Sequence, residues 1–329
     1  MRLIALLLTL LALALPARAE TPTLTIYTYE SFVSEWGPGH PIAIAFERIC
    51  KCRVKYVAVE DGAALLSRLK LEGEHASADI VLGLDTSLTA EATATGLIAP
   101  HGLDLASLQL PIAWNDPQFV PFDYGYFAFV YDKKKVSHPP ASFEDLARSS
   151  LKILVEDPRT STPGLGLLLW VKSLYGEDAG AMWQRLRSHV VTVTGGWSEA
   201  YGLFLKGEAD MVLSYTTSPA YHRIIDKTEQ YEAASFEEGN YLQVEVGAKL
   251  VHAQEPALAD QFLAFMVSPE FQAAIPTGNW MYPVVAPASG LPAGFDPPLA
   301  ADHTLSLDPQ TVASGRKAWI AEWLAAFAD

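Results

Sequence analysis

Residues 152–170 combine a short apolar segment, a polar turn and a second apolar segment, an arrangement that can bind an anion. Residues 153–155 have the pattern of a buried strand, and Ser161 and Thr162 belong to the polar turn that follows. Pro163 stands where the first residue of a helix is expected. A helix start offers free backbone N–H groups and the positive end of the helix dipole, and here also side-chain hydroxyls. It can therefore receive a phosphate, a sulfate or a carboxylate. An ordinary capped helix is the alternative interpretation.

The same order of strand, short polar segment and helix recurs along the chain. The polar segments are residues 61–62, 85–87, 160–162, 197–198 and 215–218. In open parallel sheets the carboxyl ends of the strands lie along one edge, and ligands bind there. We therefore expect these segments to line a cleft between two such edges.

The side chains at these junctions and near them fall into two chemical classes. Hydroxyl groups at helix starts suit an anion, and they occur at Ser161, Thr162, Thr217 and Ser218. A carboxylate with aromatic rings suits a flat cationic ring, because aromatic faces attract desolvated cations by roughly 0.5–2 kcal/mol each. This second class comprises Asp61, Tyr29, Trp197, Tyr215, Tyr221 and Trp280.

Several of these side chains also have a purely structural interpretation. Tyr29 at a strand end and Tyr221 on a helix can belong to the core, and Asp61 can simply cap its helix. Trp197 follows two glycines, and Trp280 follows Thr-Gly-Asn. For these two tryptophans we expect exposed loop positions and a binding role.

Alternating strand and helix patterns position the junctions. The first strand patterns are at residues 23–29, 54–59 and 79–84. Helical apolar spacing lies between them, which predicts a mostly parallel sheet with helices on both faces. Residues 119–131 and 241–251 are strand-like and long enough to leave one lobe and enter another. Asp123, in the first of them, is either a ligand contact or a hydrogen-bonding group at a hinge.

Residues 1–19 have the pattern of a cleaved export signal. Arg2 starts it, residues 3–15 are almost purely apolar, and small residues predict cleavage after Ala19. Cleavage removes Arg2 and Arg18 and no acidic residue, so the net charge moves from −15 to −17. This charge argues against nucleic acid or an anionic membrane as a partner. About 310 residues remain, too many for one small core, so two lobes are expected.

The sequence contains few signals of an enzyme. It has no Gly-x-Ser-x-Gly elbow, no His-Glu-x-x-His motif and no Gly-Lys-Ser/Thr phosphate loop. The eight histidines are scattered without metal spacing. We therefore expect no catalytic residues, no metal site and no cofactor. Cys50 and Cys52 are either a local disulfide or two thiols, and they are too few ligands for a metal site.

Eight longer segments together carry a family resemblance. They are residues 27–32, 59–62, 81–85, 120–132, 157–170, 196–207, 213–222 and 275–283. Two of them contain Asp-Pro-Arg-Thr-Ser-Thr-Pro-Gly-Leu-Gly, at residues 157–166, and Ser-Tyr-Thr-Thr-Ser-Pro-Ala-Tyr-His, at residues 214–222. Across essentially the whole mature chain, the sequence resembles the periplasmic thiamine-binding proteins of bacterial thiamine importers.

The resemblance implies an α/β, two-lobed type II periplasmic binding protein fold, with a ligand cleft between lobes joined by crossover strands. It implies a periplasmic protein that captures thiamine, thiamine monophosphate and thiamine diphosphate. It also implies delivery of these ligands to the membrane permease and ATPase of an ABC importer. With this fold, we expect an N-terminal lobe of residues 20–122 plus 246–305 and a C-terminal lobe of residues 123–245 plus 306–329.

The resemblance also implies roles for individual residues. Asp61 and Gly62 match the junction that holds the pyrimidine and thiazolium part of the ligand. Tyr29, Tyr221 and Trp280 match aromatics that enclose the cationic rings. Ser161 and Thr162 match a phosphate-binding turn. The remaining cleft contacts match Trp197, Tyr215, Thr216, Thr217 and Ser218. Glu30 is a departure, because the family has aspartate there.

Two alternatives share this fold. A thiaminase-like transferase needs a cysteine nucleophile in the cleft, and Cys50 and Cys52 follow a surface helix at the opposite end. A ferric or inorganic-anion binder of this fold class uses adjacent tyrosines, and the sequence has no Tyr-Tyr pair.

Overall fold

A computed structural model describes residues 21–327, so the predicted export signal and its cleavage site lie outside the described residues. The strands are β1 (Thr23–Tyr29), β2 (Arg53–Val59), β3 (Ile80–Asp85), β4 (Val120–Asp132), β5 (Ile153–Glu156), β6 (Val190–Thr194), β7 (Met211–Tyr215), β8 (Tyr231–Ala233), β9 (Asn240–Lys249), β10 (Tyr282–Pro283) and β11 (Thr304–Leu305). The α-helices are α1 (Glu30–Val33), α2 (Gly39–Cys50), α3 (Gly62–Glu72), α4 (Thr89–Ala94), α5 (Phe143–Arg148), α6 (Thr162–Tyr175), α7 (Ala179–Leu186), α8 (Trp197–Leu205), α9 (Pro219–Tyr221), α10 (Pro256–Met266), α11 (Pro269–Gln272), α12 (Ile275–Gly278) and α13 (Pro309–Phe327). His222–Asp226 form a π-helix.

The sheet consists of two parallel groups joined by two antiparallel strands. Its order is β2-β1-β3-β9-β4-β7-β5-β6. Strands β1, β2 and β3 are parallel to one another, as are β5, β6 and β7. Between them, β9 and β4 run antiparallel to each other and to their outer neighbours. The predicted crossing segments at 119–131 and 241–251 are therefore confirmed as the two central strands.

Burial explains why most residues of these two strands are apolar. All thirteen residues of β4 are buried, as expected for a strand covered on both faces. One core cluster packs Phe46, Phe122 and Phe262 around the β1–β3 group. A second contains Phe129 and Trp170 and extends from the β5–β7 group to Tyr27 on β1.

Helix α6 begins as its sequence predicts. Ser161 is the N-cap, its Oγ accepts a hydrogen bond from the N–H of Gly164 at 3.4 Å, and Pro163 occupies the first turn. Residues 162–172 are all buried, so this helix passes through the interior and its start is held rigidly.

Cys50 and Cys52 form a disulfide that joins the end of α2 to the segment before β2. Lys51 between them adopts the left-handed backbone conformation, with φ of 56°. Of the two states left open by the sequence, the structure contains the disulfide. Among residues 21–327, no helix combines the length and apolarity that a bilayer crossing requires.

Candidate functional site

A cavity of about 250 Å³ lies between the two parallel strand groups. Its walls come from the carboxyl ends of strands in both groups, as expected for an open α/β sheet. Tyr29 ends β1 and Asp61 follows β2 on one side, while Thr162 begins the helix after β5 on the other. Trp197 begins the helix after β6, and Tyr215 ends β7. Four of the five predicted strand-to-helix junctions therefore meet across a cleft, and the prediction was wrong for residues 85–87, which do not line the cavity.

Eight of the twelve predicted site residues line this cavity. They are Tyr29, Asp61, Thr162, Trp197, Tyr215, Ser218, Tyr221 and Trp280. The structure does not bring Gly62, Ser161, Thr216 and Thr217 to the cavity wall. Ser161 is 0% exposed and caps α6. That the twelve residues contact a ligand stays a prediction.

The starts of α3 and α6 face each other at the edge of the cavity. The N–H of Gly62 donates to Oγ1 of Thr162 at 3.0 Å, and the N–H of Ala64 donates to the carbonyl of Thr160 at 3.0 Å. A Cβ at position 62 would lie 2.7 Å from that hydroxyl oxygen, so only glycine allows this approach. The segment at the start of α6 therefore accepts hydrogen bonds from two of the free N–H groups at the start of α3.

Trp197 and Tyr201 form one aromatic wall of the cavity. Their rings stack at 5.0 Å with an interplanar angle of 28°. The indole N–H of Trp197 donates to Oγ of Ser214 at 2.8 Å, which fixes the ring plane. The prediction that Trp197 is an exposed loop residue was wrong, because it is half-buried and is the first residue of α8. Trp36 also contacts Trp197 in an edge-to-face arrangement, with ring centroids 5.9 Å apart.

Tyr221 and Trp280 form a second aromatic wall, with ring centroids 5.1 Å apart and nearly perpendicular planes. Trp280 is buried rather than exposed as predicted, and its φ is 57°. This left-handed conformation is uncommon for a bulky residue. Phe295 lies parallel to the indole on its outer side, with centroids 6.3 Å apart.

Two carboxylates border the cavity. Asp61 is 6% exposed and accepts a hydrogen bond from the N–H of Trp197 at 3.2 Å. Burial raises the pKa of Asp61 to about 7. Glu245 on β9 accepts from the hydroxyl of Tyr29 at 2.8 Å and from the side-chain amide of Asn279 at 3.1 Å. Burial, and then the negative charge of Asp123, raise the pKa of Glu245 well above its ordinary value.

Asp123 on β4 sits opposite Glu245 in the pairing of the two central strands. Its Oδ2 accepts a hydrogen bond from the side-chain amide of Asn279 at 2.6 Å, and it does not line the cavity. Of the two interpretations open for this residue, the structure favours the hydrogen-bonding group at the crossing strands.

Ten cavity residues were missed by the sequence reasoning. They are Ser31, Trp36, Pro163, Tyr201, Gly202, Leu205, Gln243, Glu245, Asn279 and Met281. Four of them had a usable signal. Tyr201 lies one helical turn after Trp197, and Asn279 adjoins Trp280. Gln243 and Glu245 alternate along one face of a buried strand, where polar residues are exceptional, and this pattern could have marked them.

Residues 76–306 match the family model of bacterial extracellular solute-binding proteins. The thiamine-binding periplasmic protein of Salmonella typhimurium is 57% identical over 316 residues, covering 95% of this chain and 96% of that protein. The chain belongs to this solute-binding protein family. A solved structure of a periplasmic thiamin binding protein superposes on this member with a TM-score of 0.90 at 54% identity, covering 93% and 96% of the two chains. Iron-bound HitA from Pseudomonas aeruginosa has the same fold, with a TM-score of 0.75 at 23% identity over 92% and 99% of the chains.

These comparisons confirm the family resemblance and the type II periplasmic binding protein fold. The relatives are named as binding proteins and not as enzymes. This confirms a solute-binding role in import, and it indicates no cofactor. A periplasmic location follows from the same relatives. The alternatives are not favoured. Cys50 and Cys52 are bonded to each other outside the cavity wall, and within residues 21–327 no cluster of three metal-binding side chains occurs.

Proposed function

We propose that this solute-binding protein captures thiamine, thiamine monophosphate and thiamine diphosphate in the periplasm. It then delivers them to the membrane permease and ATPase of an ABC importer. Support comes from relatives named thiamine-binding periplasmic protein, at 55% identity or more in five bacterial strains. The observation that carries the proposal is the chemistry of the cavity itself.

The cavity is aromatic and acidic. Among residues 21–327, its lining includes seven aromatic side chains and the carboxyl groups of Asp61 and Glu245, but no lysine, arginine or histidine. Thiamine carries a permanently cationic thiazolium ring and a flat aminopyrimidine ring. Aromatic faces and carboxylates both attract a desolvated cation, so this lining suits thiamine better than a simple anion.

Gln243 offers a way to recognise the aminopyrimidine. It lines the cavity, and its side-chain amide nitrogen and oxygen make no hydrogen bond within residues 21–327. A buried polar group without a partner costs about 1–3 kcal/mol, so a ligand that satisfies it gains affinity. The aminopyrimidine presents an amino donor beside a ring-nitrogen acceptor, which complements an amide.

Residues from both sides of the cleft line the cavity, which supports a hinge-closing mechanism. We propose that residues 20–122 plus 246–305 move against residues 123–245 plus 306–329. The contacts that join these lobes at the cavity include Gly62 with Thr162 and Asp61 with Trp197. A ligand that touches both lobes stabilises the closed form over the open one.

Calorimetric titration of the purified mature protein tests the function. Thiamine and its two phosphate esters should each bind with a 1:1 stoichiometry, whereas ferric iron should not bind. Absence of heat with all three thiamine forms contradicts the proposal. A product formed from thiamine and an added nucleophile would instead support the transferase.

The hydroxyl of Thr162 should matter more for the phosphate esters than for thiamine. Thr162 lines the cavity at the first turn of the 14-residue helix α6, where the dipole favours an anion. Thr162→Val removes the hydroxyl and nearly preserves the shape. We expect about tenfold weaker binding of the monophosphate and diphosphate, from loss of one charge-assisted hydrogen bond. Thiamine should lose clearly less, and equal losses for all three would show that this turn does not contact the phosphate. Thr89→Val, which removes a hydroxyl from the first residue of α4 outside the cavity wall, is the matched control.

A further inference from the structure

Five aromatic rings form a continuous series of contacts between the two tryptophans of the cavity, and His222 is the middle one. Trp197 stacks on Tyr201 at 5.0 Å, and Tyr201 stacks on His222 at 6.0 Å with an angle of 15°. On the other side, Tyr221 stands perpendicular to His222 at 5.1 Å and to Trp280 at 5.1 Å. His222 is 1% exposed and does not line the cavity. It therefore contacts both aromatic walls from behind.

The hydrogen bonds of His222 define its protonation. Nδ1 lies 2.7 Å from Oδ2 of Asp226, and Nε2 lies 3.0 Å from the hydroxyl of Tyr201. A carboxylate only accepts, so Nδ1 carries the proton and Nε2 accepts the hydrogen bond donated by Tyr201. Burial lowers the pKa of His222, which favours this neutral form.

The backbone that carries His222 is unusual and firmly held. His222–Asp226 form a π-helix, a rare conformation that is frequent at functional sites. Arg223 anchors it from outside through hydrogen bonds to Glu232 at 2.7 Å, Asp296 at 2.8 Å and the carbonyl of Gly294 at 3.1 Å. The imidazole is therefore a rigid support and not a mobile surface group.

We propose that His222 is a positioning residue for ligand recognition, which sets how the Trp197–Tyr201 wall and the Tyr221–Trp280 wall face each other. It holds Tyr201 by the hydrogen bond from its hydroxyl and Tyr221 by ring contact. The proposal rests on the proposed function in one respect, because thiamine is the probe of the cavity.

Four variants test the hydrogen bond. His222→Leu removes the acceptor, His222→Gln keeps an acceptor at a similar reach, and Tyr201→Phe removes the donor. The fourth combines His222→Leu with Tyr201→Phe. We expect thiamine binding about tenfold weaker in His222→Leu and near the wild-type level in His222→Gln. The double variant should be no weaker than His222→Leu alone, because contacting partners are not additive. His189→Gln is the matched control, since His189 is buried against the carbonyl of Leu151 away from these rings.

The pH profile separates positioning from a general loss of packing. Protonation at Nε2 destroys the acceptor, so wild-type affinity should fall more steeply below pH 6.5 than that of His222→Gln. The ionisable groups that face the imidazole are Asp226 on its own segment, Tyr201 on α8, Tyr221 on α9 and Tyr231 on β8. The cavity carboxylates titrate in the wild type and in His222→Gln alike, so their effect cancels in the ratio of the two affinities.

Near-ultraviolet circular dichroism reads the same ring arrangement without ligand. His222→Leu should reduce the aromatic signal, and His222→Gln should keep it. Unchanged signal and affinity in His222→Leu, additive effects in the double variant, or identical pH profiles for wild type and His222→Gln would each overturn the proposal. Failure of the wild type to bind thiamine would instead refute the proposed function, while the dichroism result would still decide the role of His222.

Discussion

Asp61→Asn should weaken thiamine binding by about 100-fold or more. Truncating one partner of a buried charge pair typically costs about 2–5 kcal/mol. Asp61 is a buried carboxylate at the cavity wall, so it is a strong partner for a cationic ring. Asparagine keeps the shape and can still accept the hydrogen bond from the N–H of Trp197. The loss measured by calorimetry would therefore report the charge.

The control for this variant is Glu60→Gln, which removes the charge of the adjacent exposed carboxylate. An exposed charge is screened by solvent, so its removal should change the affinity by less than about threefold. Similar small losses in both variants would show that Asp61 does not face the cation.

The pKa of Asp61 makes the same variant informative about pH. Because burial raises this pKa to about 7, the carboxyl group gains a proton as the pH falls from 8 to 6. A cationic ligand favours the charged form, so wild-type affinity should fall on acidification, and less so in Asp61→Asn. The folded state binds this proton more tightly than the unfolded chain, so Asp61 disfavours folding increasingly as pH rises from about 4 through 7. Asp61→Asn should therefore raise the melting temperature at pH 8 and leave it nearly unchanged at pH 4.

Trp197→Ala should weaken thiamine, thiamine monophosphate and thiamine diphosphate alike, by roughly 100-fold each. Truncation of a central tryptophan at a binding surface commonly costs about 2–4 kcal/mol. Here the substitution removes the ring that stacks on Tyr201 and leaves Oγ of Ser214 without the indole donor. Equal losses are expected because all three ligands share the cationic ring system.

Two further variants serve as a partial rescue and as a negative control for this result. Trp197→Phe should recover part of the affinity, since it keeps an aromatic face but not the N–H donor. Trp319→Ala removes a half-buried tryptophan on α13 that does not line the cavity, and it should leave the affinity unchanged. A loss confined to one of the three ligands would contradict an aromatic wall shared by all of them.

Local sequence patterns were enough to predict much of the fold. The alternation at β1 and β6 and the helix start at Ser161 and Pro163 depend on neighbouring residues, and the structure confirms them. The sequence also predicts the helix after β6, but with Ser198 as its N-cap and residues 199–206 as its span. In the structure it begins two residues earlier, at Trp197, because Gly196 takes the N-cap position without a capping side chain. Site residues at strand-to-helix junctions, such as Asp61 and Tyr215, were predictable because the open α/β fold brings such junctions to one edge.

By itself, the sequence determined the order of strands and helices, the two crossing segments and the family, since these follow from local periodicity and from extended segments of similar residues. Only the tertiary structure decided which side chains meet. Glu245 reaches the cavity because β9 pairs with β3 and β4, and Asn279 joins it from a segment 34 residues later in the chain. Thr162 reaches the cavity wall and Ser161 does not, because the cap of α6 turns inward. Which side chains face the cavity and which are buried depends on strand pairing and helix packing between distant residues. Local sequence patterns do not contain this information.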